Sequence, residues 1–300
     1  MTNTALPTNV SMRVNPFSVV CKFITYILTY YDIICHMEKK KIIVGNWKMN
    51  PITLKEAEKL FTNVAKNIST TKTTEIVICP PFLYLEKLKK ISLGHSLTGG
   101  ARKISLGAQN AFYGDIGAFT GEVSAEMLYD IGVRYVILGH SERRGMGENN
   151  IDINKKIKSA LVAGLRPILC VGENVRDPDH GYFNLVKIQL EECLSGISKN
   201  SFGKIIIAYE PIWAISSTPD RKDATPSDSI EMAIFIKKVL SDKFGKDVAG
   251  TRIIYGGSVS TKNAKDFLQN GGVDGLLVGN ASLNAKKFID IIKICEALKQ

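Results

Sequence analysis

The sequence predicts an α/β chain folded as one (β/α)8 barrel, a single domain with an N-terminal extension, and three observations carry that prediction. From Lys40 onward, short β-rich runs alternate with longer segments of helical period, eight times over. Several runs, such as Ile205-Ile206-Ile207-Ala208, are continuously apolar, the mark of strands covered on both faces in a parallel sheet. The unbroken succession of βα units favours a closed ring over the runner-up, a doubly wound open sheet.

The elements are expected in this order. The first unit joins Ile42-Ile43-Val44-Gly45 to an amphipathic segment at 54–67, and the second joins 75–79 to 82–90. Strand 105–108 precedes a helix at 124–130, and 135–138 precedes 151–163. Strand 166–171 is followed by 183–194, and 204–209 by 228–243, where Ser227 and Asp228 after Pro226 supply a helix start. The last two units are 252–255 with 262–268 and 275–278 with 283–298.

A chain of 300 residues, 45% hydrophobic and 23% charged, buries enough core to need neither disulfides nor a structural metal. Its six cysteines form no CxxC pair, which argues against a zinc site or disulfide framework and for a reducing compartment. The net charge of +10 suits an anionic metabolite. The lysines are scattered apart from Lys39-Lys40-Lys41, and no basic–aromatic stripe marks a nucleic-acid binder. Residues 1–36 are acid-poor before Asp32, weakly basic and partly apolar. They read as a dispensable leader before a true start at Met37, as an organelle-directing segment, or as a membrane anchor, the last opposed by its polar breaks. The barrel domain is accordingly placed at 37–300, in the cytoplasm, or in a plastid or mitochondrion if the leader works.

Barrels of this kind carry their chemistry where strands end and βα loops begin. After the first strand comes Gly45-Asn46-Trp47-Lys48, after the fourth Gly139-His140-Ser141-Glu142-Arg143-Arg144, and after the sixth Glu210-Pro211-Ile212-Trp213. A lysine, a histidine and a glutamate thus end three strands on one face. Alone, each is commonly a solvated charge or a packed polar group; together they make a site. Burial of Glu210 behind Ile-Ile-Ile-Ala-Tyr would desolvate the carboxylate and strengthen it as a proton acceptor. The glycine turns Gly256-Gly257-Ser258 and Gly279-Asn280 follow strands seven and eight, where barrels frequently hold phosphate on backbone N–H groups.

These stretches resemble the triosephosphate isomerase family. The resemblance rests on Gly-Asn-Trp-Lys-Met-Asn (45–50), Gly-Ala-Phe-Thr-Gly-Glu-Val-Ser (117–124), Leu-Gly-His-Ser-Glu-Arg-Arg (138–144), Tyr-Glu-Pro-Ile-Trp-Ala-Ile (209–215) and Tyr-Gly-Gly-Ser-Val (255–259), in the family's order. It spans Lys40 to the C-terminus and implies a TIM barrel that interconverts D-glyceraldehyde 3-phosphate and dihydroxyacetone phosphate through an enediolate, in glycolysis and gluconeogenesis. By resemblance, Glu210 is the general base, His140 the electrophile, and Lys48 the positive charge on the substrate. Asn46, Ser216, Ser258, Gly279 and Asn280 are substrate-binding. No metal or organic cofactor is implied. Thr120 lies in a loop that in the family enters the partner's site, so a homodimer is expected.

The pattern departs from the family at the lid. Here Ile215 is followed by Ser216-Ser217-Thr218-Pro219-Asp220-Arg221-Lys222-Asp223, a longer segment without the family's tip glycines, and Pro219 removes an N–H donor. Altered lid kinetics and release of the intermediate as methylglyoxal are the expectation. Asn280 replaces a second glycine, tolerably for left-handed backbone. The alternative reading is a diverged, non-catalytic barrel that binds or scaffolds; it requires loss of Asn46, Lys48, His140 or Glu210, all of which are present. The second Gly-His-Ser, at 94–96, reads as a surface loop.

Overall fold

The computed structural model describes residues 40–68, 73–97, 104–215, 218 and 221–298. Strands β1 (Ile42–Asn46), β2 (Glu75–Cys79), β3 (Ser105–Ala108), β4 (Tyr135–Leu138), β5 (Arg166–Val171), β6 (Ile206–Tyr209), β7 (Arg252–Tyr255) and β8 (Gly275–Val278) form a closed barrel in sequence order. Every pairing is parallel, and β1 closes on β8 with Ile42 opposite Gly275 and Ile43 opposite Leu276.

The apolar runs are buried throughout because each strand feeds two cores. Ile42, Val44, Val77, Ile137, Ile168, Ile206 and Leu277 fill the barrel. The alternate residues Ile43, Ile76, Val136, Leu169, Ile207 and Leu276 pack outward under the helices. This period-two division decides which residue past a strand end continues its inward face. In β6, Ile206 and Ala208 face inward, and Glu210, whose N–H bonds the carbonyl of Val171 at 2.8 Å, continues that face.

The helices are α1 (Leu54–Asn67), α2 (Leu85–Leu97), α3 (Ala125–Asp130), α4 (Ser141–Gly145), α5 (Asn150–Val162), α6 (Gly181–Cys193), α7 (Pro226–Phe244), α8 (Ala264–Asn270) and α9 (Ala285–Ala297). Their starts are chemically fixed. Thr53 and Glu56 form a reciprocal capping box on α1, and Ser124, Asn149 and Asn284 cap α3, α5 and α9. Glu296 on α9 accepts from the N–H of Thr73 and of Thr74, each at 2.9 Å, tying the last helix to the approach to β2.

Four expectations are corrected. Helix α7 starts at Pro226 rather than Asp228, because Thr225 is the N-cap and pairs with Asp228 in a second capping box. Strand β6 begins at Ile206, since 199–204 form a 3-10 turn. Helix α2 runs through Gly94-His95-Ser96, which is therefore not a loop. The turn after β4 contains the additional short helix α4.

Candidate active site

The turn after β1 is built to present Lys48. Asn46 is buried, and its Oδ1 accepts the Lys48 N–H at 3.0 Å, holding Lys48 in left-handed backbone at φ +53°. From the end of β3, Gln109 Nε2 donates to the carbonyls of Lys48 and Cys79, both at 2.8 Å. The Lys48 ammonium reaches Glu142 Oε1 at 2.5 Å, which joins the first and fourth turns. A Cβ on Gly279 would stand 3.6 Å from Lys48 Cε, so the lysine stem also lies against the turn after β8.

His140 reaches the mouth through a glycine. Gly139 takes φ +69°, and a Cβ there would meet Ile153 at 2.9 Å and the Cys170 carbonyl at 3.3 Å. His140 is the N-cap of α4, and its Nδ1 accepts the Glu142 N–H at 3.2 Å. An acceptor at Nδ1 places the ring proton on Nε2. Arg144 fixes the turn from beneath, donating to the Gly139 carbonyl at 2.8 Å and to Asn150 Oδ1 at 2.6 Å.

Glu210 is 2% exposed. Its Oε2 accepts the Ser141 N–H at 3.1 Å. Its Oε1 lies 3.2 Å from His140 Nε2, outside hydrogen-bond alignment, and has no hydrogen-bond partner among the described residues. Space for this carboxylate is made by glycines: a Cβ on Gly256 would come within 2.8 Å of Glu210 Cγ. Burial first, and the neighbouring Glu210 second, hold the Cys170 thiol well above the ordinary thiol range, so it stays protonated beside the carboxylate.

These groups share one cavity of about 450 Å³, lined by Asn46, Lys48, His140, Glu210, Ser258, Gly279 and Asn280. Thr120 is exposed on the β3–α3 connection and is not among the cavity's lining residues. Ser216, Ser217 and Pro219 lie outside the described residues.

The lining also contains Arg221, Lys262 and Lys287, which the sequence reading did not single out. Two further residues were missed. Gln109 follows β3, and Glu173 follows β5 and accepts at Oε1 from both Trp213 Nε1 and Tyr209 OH at 2.8 Å, anchoring the segment that leaves Glu210. Both are polar residues just past a strand end, so examining the turns after strands three and five as well as one, four and six finds them.

A carboxylate with an open lone pair, an imidazole beside it, and an ammonium at the rim can together remove a proton beside a carbonyl and stabilise the resulting oxyanion. Comparison with known proteins agrees with that chemistry. The triosephosphate isomerase family model matches residues 41–295. The chain is similar to triosephosphate isomerase of Aquifex aeolicus, 43% identical over 256 residues, which are 84% of this chain and 98% of the relative. Triosephosphate isomerase of Alkaliphilus metalliredigens is 42% identical over 257 residues, 85% of this chain and 99% of the relative. The crystal structure of triosephosphate isomerase from Bartonella henselae superposes with a TM-score of 0.72 at 35% identity, covering 85% of this chain and 99% of that one.

Proposed function

The chain belongs to the triosephosphate isomerase family, and from that premise we propose how its own residues carry the reaction. It is an aldose–ketose isomerase of glycolysis and gluconeogenesis that interconverts D-glyceraldehyde 3-phosphate and dihydroxyacetone phosphate through an enediolate. The observation that supports the assignment of the base is the buried Glu210 Oε1 without a donor, 3.2 Å from His140 Nε2.

Glu210 Oε1 takes the proton from the carbon next to the carbonyl, and the electron pair moves onto the carbonyl oxygen. The Nε2–H of His140 donates to that oxygen, and the imidazole then passes a proton between the two oxygens of the enediolate. Glu210 returns its proton to the neighbouring carbon, which leaves the enzyme unchanged. The Lys48 ammonium stabilises the oxyanion where water is excluded. Asn46, its Oδ1 engaged by Lys48, supplies the amide N–H beside the substrate. The phosphate sits between the Gly256–Ser258 turn and the Gly279–Asn280 turn, which line the same cavity.

The working unit is a homodimer. Met49 and Ile52 after β1, Leu83 after β2, Ile116 and Phe119 after β3, and Met146 after β4 are all exposed on the connections from four consecutive strands. Such a concentration of large apolar groups fits a self-association surface. Thr120, next to Phe119 and absent from its own cavity's lining, would reach the partner's site. The barrel domain works in the cytoplasm, a setting in keeping with the free, buried thiols of Cys79, Cys170, Cys193 and Cys295.

A coupled assay with glyceraldehyde 3-phosphate tests the assignment. Glu210→Gln is expected to lower kcat about a thousandfold, the range for loss of a general base. Unchanged turnover in that variant would remove Glu210 from the mechanism. Sedimentation equilibrium tests the dimer, and a monomer at micromolar concentration would end that part of the reading.

A further inference from the structure

The cations around the cavity are unequally engaged. Lys48 is already paired with Glu142 at 2.5 Å. Beside the Gly256–Ser258 turn, Arg221 donates from Nη1 to Ser258 Oγ at 2.7 Å, and Lys262 and Lys287 line the same cavity. Among the described residues the acid beside Arg221 is Asp223, its Oδ1 3.5 Å from Nη2 and its side chain 83% exposed. Glu210 is the one acid among the described residues lining the cavity. A dianion entering this cavity therefore meets a guanidinium whose partners among the described residues are a neutral hydroxyl and a solvated carboxylate.

The position of Arg221 is fixed by its neighbours. Lys222 N–H bonds the Trp213 carbonyl at 3.1 Å, which holds the chain just after Arg221 against the 3-10 turn that follows Glu210. Ser258 N–H bonds the Ala214 carbonyl at 3.3 Å, and the Asn263 side chain donates to the Ser258 carbonyl at 3.0 Å. The hydroxyl that Arg221 grips is thus itself fastened at both backbone ends.

We propose that Arg221, carried on the β6–α7 connection, is a substrate-binding residue that holds the phosphate of the triose phosphate jointly with Ser258. A guanidinium offers several N–H groups in a planar fork matched to phosphate oxygens, and one of them is already placed on the hydroxyl that faces the same anion. When a phosphate oxygen approaches, Ser258 turns its O–H toward it, and the remaining Arg221 N–H groups supply charge-assisted bonds from the opposite side. No covalent step is involved. The inference rests on the isomerase reading for its substrate, but it concerns phosphate binding alone.

The test uses the full chain with Arg221→Ala and Arg221→Lys. In Arg221→Ala, KM for glyceraldehyde 3-phosphate and Ki for inorganic phosphate should both rise about tenfold, the effect of losing one charge-assisted interaction. Arg221→Lys should recover part of this, because it keeps the charge and loses the fork. Turnover of D-glyceraldehyde, which has no phosphate, should stay within about twofold if Arg221 acts only on the phosphate. Unchanged KM and Ki in a folded Arg221→Ala protein would overturn the proposal. An equal loss on D-glyceraldehyde would also overturn it, since Arg221 would then be merely shaping the site. If the wild-type chain fails to isomerise glyceraldehyde 3-phosphate, the isomerase reading falls, and calorimetric binding of inorganic phosphate to wild type and Arg221→Ala still decides the role of Arg221.

Discussion

Glu75 at the foot of the barrel and Glu210 at its mouth are the same side chain under opposite treatment. Glu75 Oε1 meets the Tyr135 hydroxyl and lies 3.4 Å from Arg166 Nη1, while Oε2 accepts from Arg252 Nη1 at 2.6 Å. Both of its oxygens are occupied, and Arg166, its charge disfavoured chiefly by burial and then by Arg252, depends on that carboxylate. Glu210 is more deeply buried, yet one oxygen lacks a donor among the described residues. Saturation makes a carboxylate a structural tie, whereas withholding a donor leaves a lone pair available for a proton. Burial alone does not distinguish the two roles; the hydrogen-bond inventory does.

That contrast can be broken from either end. Glu75→Ala should have the largest effect on folding, about 3 kcal/mol by denaturant titration, because it leaves two guanidinium groups together without their acid. Its kcat should be nearly untouched, and a stable but inactive protein would contradict the division of labour. At the mouth, Gly256→Ala pushes a methyl against Glu210 Cγ and should lower kcat on the order of tenfold by displacing the base. Normal turnover would show that the carboxylate has slack there. Glu210→Gln, besides losing turnover, should unfold at higher denaturant, by about 1 kcal/mol, since it removes a buried charge with one unpaired oxygen. A loss of stability in that variant would place Glu210 in the same class as Glu75. The smallest effect is expected for Gln109→Ala, which frees the Lys48 turn and should raise KM about threefold in the coupled assay, consistent with a lost hydrogen-bond pair.

Much of the mouth was legible because the rule was local. Alternation along a strand aims Asn46 at the end of β1 and Glu210 just past β6 inward, whereas His140 continues the outward parity of β4 and is turned into the mouth by Gly139. What escaped had a different cause in each case. Gln109 and Glu173 stand just past β3 and β5, where the same rule finds them, but they act on the backbone and side chains of the site, a role their position does not reveal. Arg221 sits in a segment legible only as lost glycines, while its partner Ser258 is on another turn, and a contact between β6 and β7 connections is not encoded in spacing. The start of α7 was written in the sequence as Thr225-Pro226-Ser227-Asp228, a capping box with proline at the first helical position, but reading Ser227 as the cap obscured it. The foot of the barrel was the least legible part, because Glu75, Tyr135, Arg166 and Arg252 come from four strands and meet only once the ring exists.

The seam of that ring has a kinetic consequence. Ile42 pairs with Gly275, and a Cβ at Gly275 would fall 1.9 Å from the Ile42 carbonyl, so the last strand must slide in tightly against the first. A contact joining such distant parts of the chain gives back its loop-closure entropy only late, and folding rates fall as such contacts come to dominate. Ring closure should therefore limit refolding, and a bulkier residue at Gly275 should slow the final phase while leaving early helix formation at its normal pace.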